Sequence, residues 1–169
     1  MKRILLVLVL FTIIATGTAF ADHPKGIGVG VFYGTSSSWG GWGWGTGYGY
    51  YGLSLKIPSI PIFWGINMRI TEGYFQLGLM GDKYFIDQVL VKDFGLHWFL
   101  GLGLYGNIAF WNDNAAFAFG ARLPIGLSWQ PVKPLEIFLN LAPSLGIHIN
   151  PLDFPNGGLG AEFGIRLWF

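Results

Sequence analysis

The sequence predicts an all-β protein: an eight-stranded antiparallel up-and-down transmembrane β-barrel, preceded by a cleaved signal peptide. Three observations lead to this prediction. Apolar residues take every second position in segment after segment, charged residues make up only 11% of the 169-residue chain, and the amino terminus has the form of an export signal. A period of two is that of a β-strand with one apolar face.

The alternation is clearest in residues 158–169, where the apolar positions are Leu159, Ala161, Phe163, Ile165, Leu167 and Phe169. A strand of about ten residues crosses a bilayer at a tilt, and an open sheet edge cannot face lipid. Spanning strands must therefore close into a barrel. A last strand that ends in phenylalanine resembles the C-terminal insertion signal of bacterial outer-membrane barrels. That resemblance implies the outer membrane of a diderm bacterium and contact of Phe169 with the barrel-assembly machinery.

The amino terminus has the three parts of a secretory signal. Lys2 and Arg3 supply the positive start, an apolar run follows over 4–14, and small residues stand at Ala19 and Ala21. The run is short for a helix that spans a membrane, which disfavours a retained anchor. We therefore expect residues 1–21 to be removed and residues 22–169 to form one transmembrane barrel.

Eight strands are predicted, at 26–33, 50–57, 62–70, 74–80, 94–108, 116–130, 135–147 and 158–169. An even number places both termini on one side, which for outer-membrane barrels is the periplasm. The segment 81–93 interrupts the alternation, and it fits either a short helical turn or an extra extended piece. The segment 35–48 is rich in glycine, serine and tryptophan, as loop tips are. Its tryptophans, Trp39, Trp42 and Trp44, form either a contact surface for sugars or lipid headgroups or a part of the aromatic girdle.

The charged residues of the predicted strands all lie on the face opposite the apolar one: Lys56, Arg69, Arg122, Glu136, Glu162 and Arg166. An arginine or lysine that faces the bilayer centre costs about 2–4 kcal/mol, so the apolar face should meet lipid and the charged face should line the lumen. Buried charges need partners. We expect the four cations to pair with the two carboxylates, assisted by tyrosines and His97.

An eight-stranded barrel is just wide enough for side chains to fill its interior. We therefore predict a closed lumen and a structural or surface-loop role. The alternative is a narrow pore for small solutes, in which the surplus of inward cations over carboxylates would weakly favour anions.

Aromatic residues should form two belts on the lipid-facing side, as membrane interfaces require. Trp64, Trp98, Trp129 and Phe169 fall at the periplasmic rim. Near the opposite rim lie Tyr33, Tyr51, Phe117 and Phe163. A soluble lipocalin-like barrel would instead have a polar exterior and an apolar interior.

Two sets of residues carry a resemblance. Size, export signal and C-terminal phenylalanine resemble the outer-membrane protein A-type transmembrane barrels. The segments 120–129, 136–138 and 143–146 resemble, more specifically, an uncharacterised small-barrel family of spirochaetes and other diderm bacteria. The resemblance covers most of 57–169 and implies fold and location. It implies no activity and no functional residues.

Other functions find little support in the sequence. The net charge of +1 gives no basic surface for nucleic acid, and the chain has no cysteine for a disulfide or a metal. Ser144, His148 and Glu136 share the inward face of one strand and suggest a catalytic triad. However, Ser144 and His148 would stand about 13 Å apart along an extended strand. We therefore predict that the protein is not an enzyme, and a lipid-modifying enzyme is the remote alternative.

Two short clusters, Asn112–Asn114 and Asp22–His23, contain possible metal ligands. Both are too short and too generic for a calcium site, and solvated loops explain them. We expect no metal and no cofactor. The expected partners are outer-membrane lipid, the barrel-assembly machinery and an unidentified extracellular ligand.

Overall fold

The computed structural model describes residues 24–39, 48–112, 114–150 and 152–169. These residues form nine strand segments and one 3-10 turn, Lys92–Phe94. The strands are β1 (Gly28–Trp39), β2 (Tyr48–Ile57), β3 (Ile60–Thr71), β4 (Tyr74–Val91), β5 (Leu96–Trp111), β6 (Asn114–Arg122), β7 (Ile125–Val132), β8 (Leu135–Ile149) and β9 (Asp153–Trp168). No helix among these residues is long and apolar enough to cross a membrane.

The strands form a closed antiparallel ring. Each pairs with its neighbours in the chain, and β1 closes the ring by pairing with β9 from Gly28↔Trp168 to Trp39↔Gly157. Segments β6 and β7 both lie between β5 and β8, so they are two halves of one strand. The strand pairing is interrupted between β6 and β7 because Pro124 has no N–H to donate. The ring therefore has eight strands, which confirms the predicted fold class.

The strands are tilted, as the register around the ring shows. The pairings lead once around the barrel from Gly28 through Lys56, Phe63, Asp82, Gly103, Arg122, Ser144 and Gly158 to Ser38. The path returns to β1 ten residues from its start, which is the shear of the barrel. Closure of a sheet requires such a stagger together with strand tilt.

Burial alternates along the strands and separates an outer from an inner face. In β9 the residues from Glu162 to Trp168 are buried at every even position and exposed at every odd one. The exposed face is apolar over most of the wall; Leu53 and Leu104, for example, are 58% and 70% exposed. An apolar exterior of this extent is suited to lipid rather than water. Lys83 on β4 is an exception, an exposed charged residue on the outward face.

The β4 strand differs from the prediction. Alternation was expected to stop at residue 80, but the strand continues to Val91 and only then turns. Two register shifts, between Tyr84 and Ile86 and between Val89 and Val91, insert an extra residue each. Gly81 and Lys83 end the run of apolar residues at the outward positions, and each bulge then reverses the inward and outward phase of the residues that follow it, so the alternation is lost from the sequence pattern. The extension directs Asp82 and Asp87 into the barrel.

Strands β1 and β9 also differ from the prediction at the end of the barrel away from Ile27 and Phe169, which we call the upper end. Ser36–Ser38 pair with Gly158–Gly160 in the region that was predicted to be a loop. Strand β9 begins at Asp153, before the predicted start at residue 158. Serine and glycine are typical of turns, yet their small size also suits strand positions that line a cavity. The signal peptide, Trp42 and Trp44 lie outside the described residues, and the backbone of Trp39 ends β1.

Candidate functional site

The middle of the lumen is crossed by a layer of hydrogen bonds centred on Arg122. Its two terminal nitrogens donate to the two oxygens of Glu162, both at 2.8 Å, and its Nε lies 3.2 Å from Asp82 Oδ1. Asn140 and Tyr50 donate to the same Glu162 carboxylate at 3.0 and 2.9 Å. Planar two-point pairing of this kind is the strongest form that arginine makes with a carboxylate. Five strands thus contribute to one cross-brace, which we call the Arg122 layer.

A second layer lies nearer the chain termini and is centred on Glu136, which is 0% exposed. Its Oε2 accepts hydrogen bonds from Arg166 at 2.7 Å and from the Trp168 indole at 2.6 Å, and its Oε1 accepts one from Ser128 at 2.9 Å. Arg166 also donates to Ser54 Oγ, at 2.9 and 3.2 Å. This Glu136 layer satisfies a carboxylate that would be costly to bury alone.

Aromatic rings fill the space around the Glu136 layer. Tyr84 stacks between Phe63 and Phe99, with ring centroids 4.2 and 4.3 Å apart. Trp168 meets the edge of Phe63 at 6.3 Å, and the guanidinium of Arg166 lies 4.8 Å from the Phe63 centroid. The space left between the two layers is only about 20 Å³. That volume is roughly the room of one water molecule.

Two of the predicted network residues have other partners. The ammonium of Lys56 donates to the carbonyl oxygens of Ile57 and Ile60, at 2.9 and 2.8 Å. The guanidinium of Arg69 lies over the rings of Tyr48 and Tyr74, at 3.9 and 4.7 Å from their centroids. The prediction that these two cations pair with Glu136 and Glu162 was wrong. Each lies near a rim, where carbonyls or rings are closer than the carboxylates.

The balance of charge in the lumen also differs from the prediction. Asp82 and Asp87 are 4% and 1% exposed and lie beyond the predicted end of the strand at residue 80, Asp87 after the first bulge. With them, the inward carboxylates equal the inward cations: Asp82, Asp87, Glu136 and Glu162 against Lys56, Arg69, Arg122 and Arg166. The predicted surplus of positive charge therefore does not exist in the described lumen.

Above the Arg122 layer the lumen opens into a polar cavity of about 230 Å³. We call it the upper cavity. It lies at the end of the barrel opposite the described termini, and hydroxyl, amide and glycine positions make up most of its wall. The two halves of the lumen therefore differ: the lower half is filled, and the upper half is open and polar.

The predicted girdle residues lie on the outward face. Trp64, Trp98 and Trp129 are partly exposed and Phe169 is 75% exposed, all toward the end that holds both termini. Trp129 stacks on Phe94 with centroids 5.1 Å apart and donates its indole N–H to the Phe94 carbonyl at 2.9 Å. The four side chains stand where an interface belt would be needed.

The residues of the suspected triad do not come together. The Glu136 carboxylate is held by Arg166, whereas Ser144 lies in the upper cavity and donates to the Gly158 carbonyl at 3.4 Å. His148 pairs in register with Asp153, near the upper end of the barrel. Among the described residues no group of three metal-ligating side chains occurs, and Asp22, His23 and Asp113 lie outside them.

Comparisons with known proteins identify the fold. No protein-family profile and no curated protein sequence matches the chain. Among solved structures, Neisserial surface protein A matches with a TM-score of 0.57 at 11% identity, over 85% of this chain and 97% of that one. The N-terminal barrel domain of Pseudomonas aeruginosa OprF gives 0.52 at 13%, over 83% and 97%. Ail of Yersinia pestis gives 0.51 at 10%, over 86% and 100%.

Likeness at this level of identity establishes architecture alone. The resemblance to the spirochaete family stays a prediction, since no family profile matches. The closed ring, its apolar exterior and these neighbours together establish that the chain has the eight-stranded transmembrane barrel fold of outer-membrane proteins.

Proposed function

We propose that the protein is an integral outer-membrane scaffold that is not an enzyme, conducts no solutes and acts through the surface at its upper end. One observation carries this proposal: the Arg122 layer and the Glu136 layer cross the lumen in succession with room for about one water between them. A hydrated ion would have to break both layers in order to pass. The lower half of the barrel is therefore a filled core.

The orientation follows from the ends of the chain. Ile27 and Phe169 exchange two backbone hydrogen bonds, at 2.9 and 2.8 Å, so the start of the described chain and its last residue lie at one rim. Outer-membrane barrels with an even number of strands keep this rim in the periplasm. On this orientation the upper cavity faces outward from the cell.

The last strand supports a role in assembly. Phe169 is 75% exposed beside the β1–β9 closure, so its ring is accessible at the periplasmic rim. We propose that the barrel-assembly machinery recognises the β9 strand through this residue. Deletion of Phe169 should slow membrane insertion in cells, whereas refolding of the purified barrel into detergent should change little.

The tryptophan segment is the proposed contact surface for an external ligand. Replacement of Trp39, Trp42 and Trp44 by alanine should abolish retention of the refolded protein on a glycan array, without change in the folded fraction. Unchanged retention would assign these side chains to the aromatic girdle instead.

Single-channel recording tests the closed lumen. The refolded protein is inserted into planar bilayers, and insertion is verified by protease protection and by heat-dependent mobility in electrophoresis. We expect no conductance steps above the bare membrane in about 1 M salt, where the Debye length is about 3 Å and surface charge has little effect on ion entry. Regular steps from inserted protein would favour the narrow-pore alternative. Lipid deacylation that Ser144→Ala abolishes would favour the remote enzymatic alternative.

A further inference from the structure

We propose that the upper cavity binds a water-soluble monosaccharide that carries one oxyanion group, with Arg69 as the residue that contacts the anion. The inference rests on the proposed function in one respect, because the Arg122 layer supplies the floor of the cavity. It goes beyond that function by assigning a ligand class to the interior of the barrel rather than to its loops. Three features of the cavity lead to it.

The first feature is the set of groups that surround the Arg69 guanidinium. Its guanidinium is half-buried, with Tyr48 and Tyr74 against its faces at 3.9 and 4.7 Å. Ring contacts occupy the faces of a guanidinium but leave its in-plane N–H groups free, and those groups form a fork that matches an oxyanion. Within the described residues, no carboxylate pairs with this fork. By contrast, Arg122 on the cavity floor is already held by Glu162 and Asp82.

The second feature is the chemistry of the remaining wall. Tyr74 donates its hydroxyl to Gln76 Oε1 at 2.8 Å, which leaves the amide N–H groups of Gln76 as donors. Asn107, Ser36 and Asn156 also line the cavity. Mixed donors and acceptors beside tyrosine rings suit a ligand that has hydroxyl groups on a compact ring. An inorganic anion would use Arg69 and leave this wall unused.

The third feature is size and access. A volume of about 230 Å³ has room for on the order of ten or more water molecules, which admits a ligand of about the size of one monosaccharide with a small anionic group. The barrel wall is hydrogen-bonded around the complete ring, so no lateral opening connects the cavity to the bilayer in the described strands. A ligand must enter from the upper end, which favours a soluble sugar over a lipid headgroup.

Isothermal titration of the refolded protein in zwitterionic micelles tests the proposal. The probes are glucose 6-phosphate, glucose and inorganic phosphate. Three variants are compared with wild type: Arg69→Gln, which removes the cation; Lys92→Gln, which removes an exposed cation at the opposite rim; and Gly160→Leu, which places a side chain in the cavity. A Cβ at Gly160 makes only ordinary van der Waals contacts, at 3.5 Å or more, and heat-dependent mobility in electrophoresis verifies that the leucine variant folds.

We expect saturable binding of glucose 6-phosphate that is at least tenfold tighter than that of glucose or phosphate. Arg69→Gln and Gly160→Leu should each weaken it tenfold or more, and Lys92→Gln should leave it unchanged. Equal binding by Arg69→Gln and wild type would overturn the proposal, as would equal affinity for phosphate and glucose 6-phosphate. Competition by phosphatidic acid added to the micelles would also overturn it, because a headgroup would then be the occupant. Failure of the proposed function, a conducting lumen, would appear in single-channel recording. Failure of the ligand proposal would appear in this titration, so the two outcomes are distinguishable.

Discussion

At the scale of single residues, the stability of the barrel depends on charges that are buried with their partners. Glu136 is the clearest case, because three side chains on two strands, β7 and β9, donate hydrogen bonds to one fully buried carboxylate. Removing one member of a buried pair leaves an uncompensated charge, which costs about 3–5 kcal/mol. The pair as a whole contributes less than that figure, since both charges were desolvated on folding.

Glu136→Ala should therefore lower the free energy of unfolding by about 3–5 kcal/mol, because it leaves the charge of Arg166 buried without the Glu136 carboxylate. Urea unfolding in lipid vesicles, followed by tryptophan fluorescence, measures the change. Glu72→Gln is the matched control: Glu72 is exposed in the turn between β3 and β4, and its effect should stay within about 0.5 kcal/mol. Equal effects of the two substitutions would contradict the buried layer.

Glycines of the inner wall fall into two classes. A Cβ at Gly52 would collide with the Phe32 ring and lie 2.8 Å from the Ile66 carbonyl oxygen, whereas a Cβ at Gly160 would make only ordinary van der Waals contacts, at 3.5 Å or more. Gly52→Ala should destabilise the barrel by about 1–3 kcal/mol through overpacking, and Gly160→Ala should be close to neutral. The same unfolding experiment compares them. A neutral Gly52→Ala would show that the lower lumen is looser than described.

The sequence allowed part of this residue-scale description to be predicted. Arg122, Arg166, Glu136 and Glu162 were assigned inward positions because alternation alone determines the face of a strand residue. Specific partners were not predictable, since pairing depends on the shear of the ring. Arg69 was expected to meet a carboxylate, yet the stagger places it beside Tyr48 and Tyr74.

At the scale of elements, β4 shows where sequence reasoning reaches its limit. The strands other than β1, β4 and β9 were predicted to within a few residues at each end, because the period of two runs through most of their length. In β4 Gly81 and Lys83 take the outward positions after Leu79, and the first register shift follows at Tyr84. An 18-residue strand therefore resembled a short strand followed by an irregular segment. The missed half contains Asp82 and Asp87, and the charge balance of the lumen changed with it.

The outward face of the strands gives a depth-dependent prediction. Leu104 is 70% exposed at the centre of β5, and Val132 is 62% exposed at the end of β7. Leu104→Lys should cost about 2–4 kcal/mol in vesicles, and Val132→Lys about 0–1 kcal/mol, since the cost of a charge falls from the bilayer centre to its interface. Unfolding free energies of the two variants provide the test. Equal costs would contradict a barrel with Leu104 at mid-membrane depth.

At the scale of the whole molecule, closure, shear and filling depend on one another. Eight strands with a shear of ten residues enclose a narrow cylinder. Two hydrogen-bonded layers and an aromatic stack fill its lower half, and the upper half keeps the cavity. The same wall therefore combines a rigid core with a polar recess, and only the recess has room for a ligand.

The central claim is that lipid surrounds the apolar face and that the charged face is enclosed. The chain has no cysteine, so single cysteines can be introduced along β5 from Leu96 to Trp111 and labelled with nitroxide in vesicles. We expect the accessibility to oxygen, which concentrates in lipid, to oscillate with a period of two, with maxima at Leu102 and Leu104. Their accessibility to a water-soluble nickel reagent should be low. High nickel accessibility at Leu102 and Leu104, or no oscillation, would contradict the account.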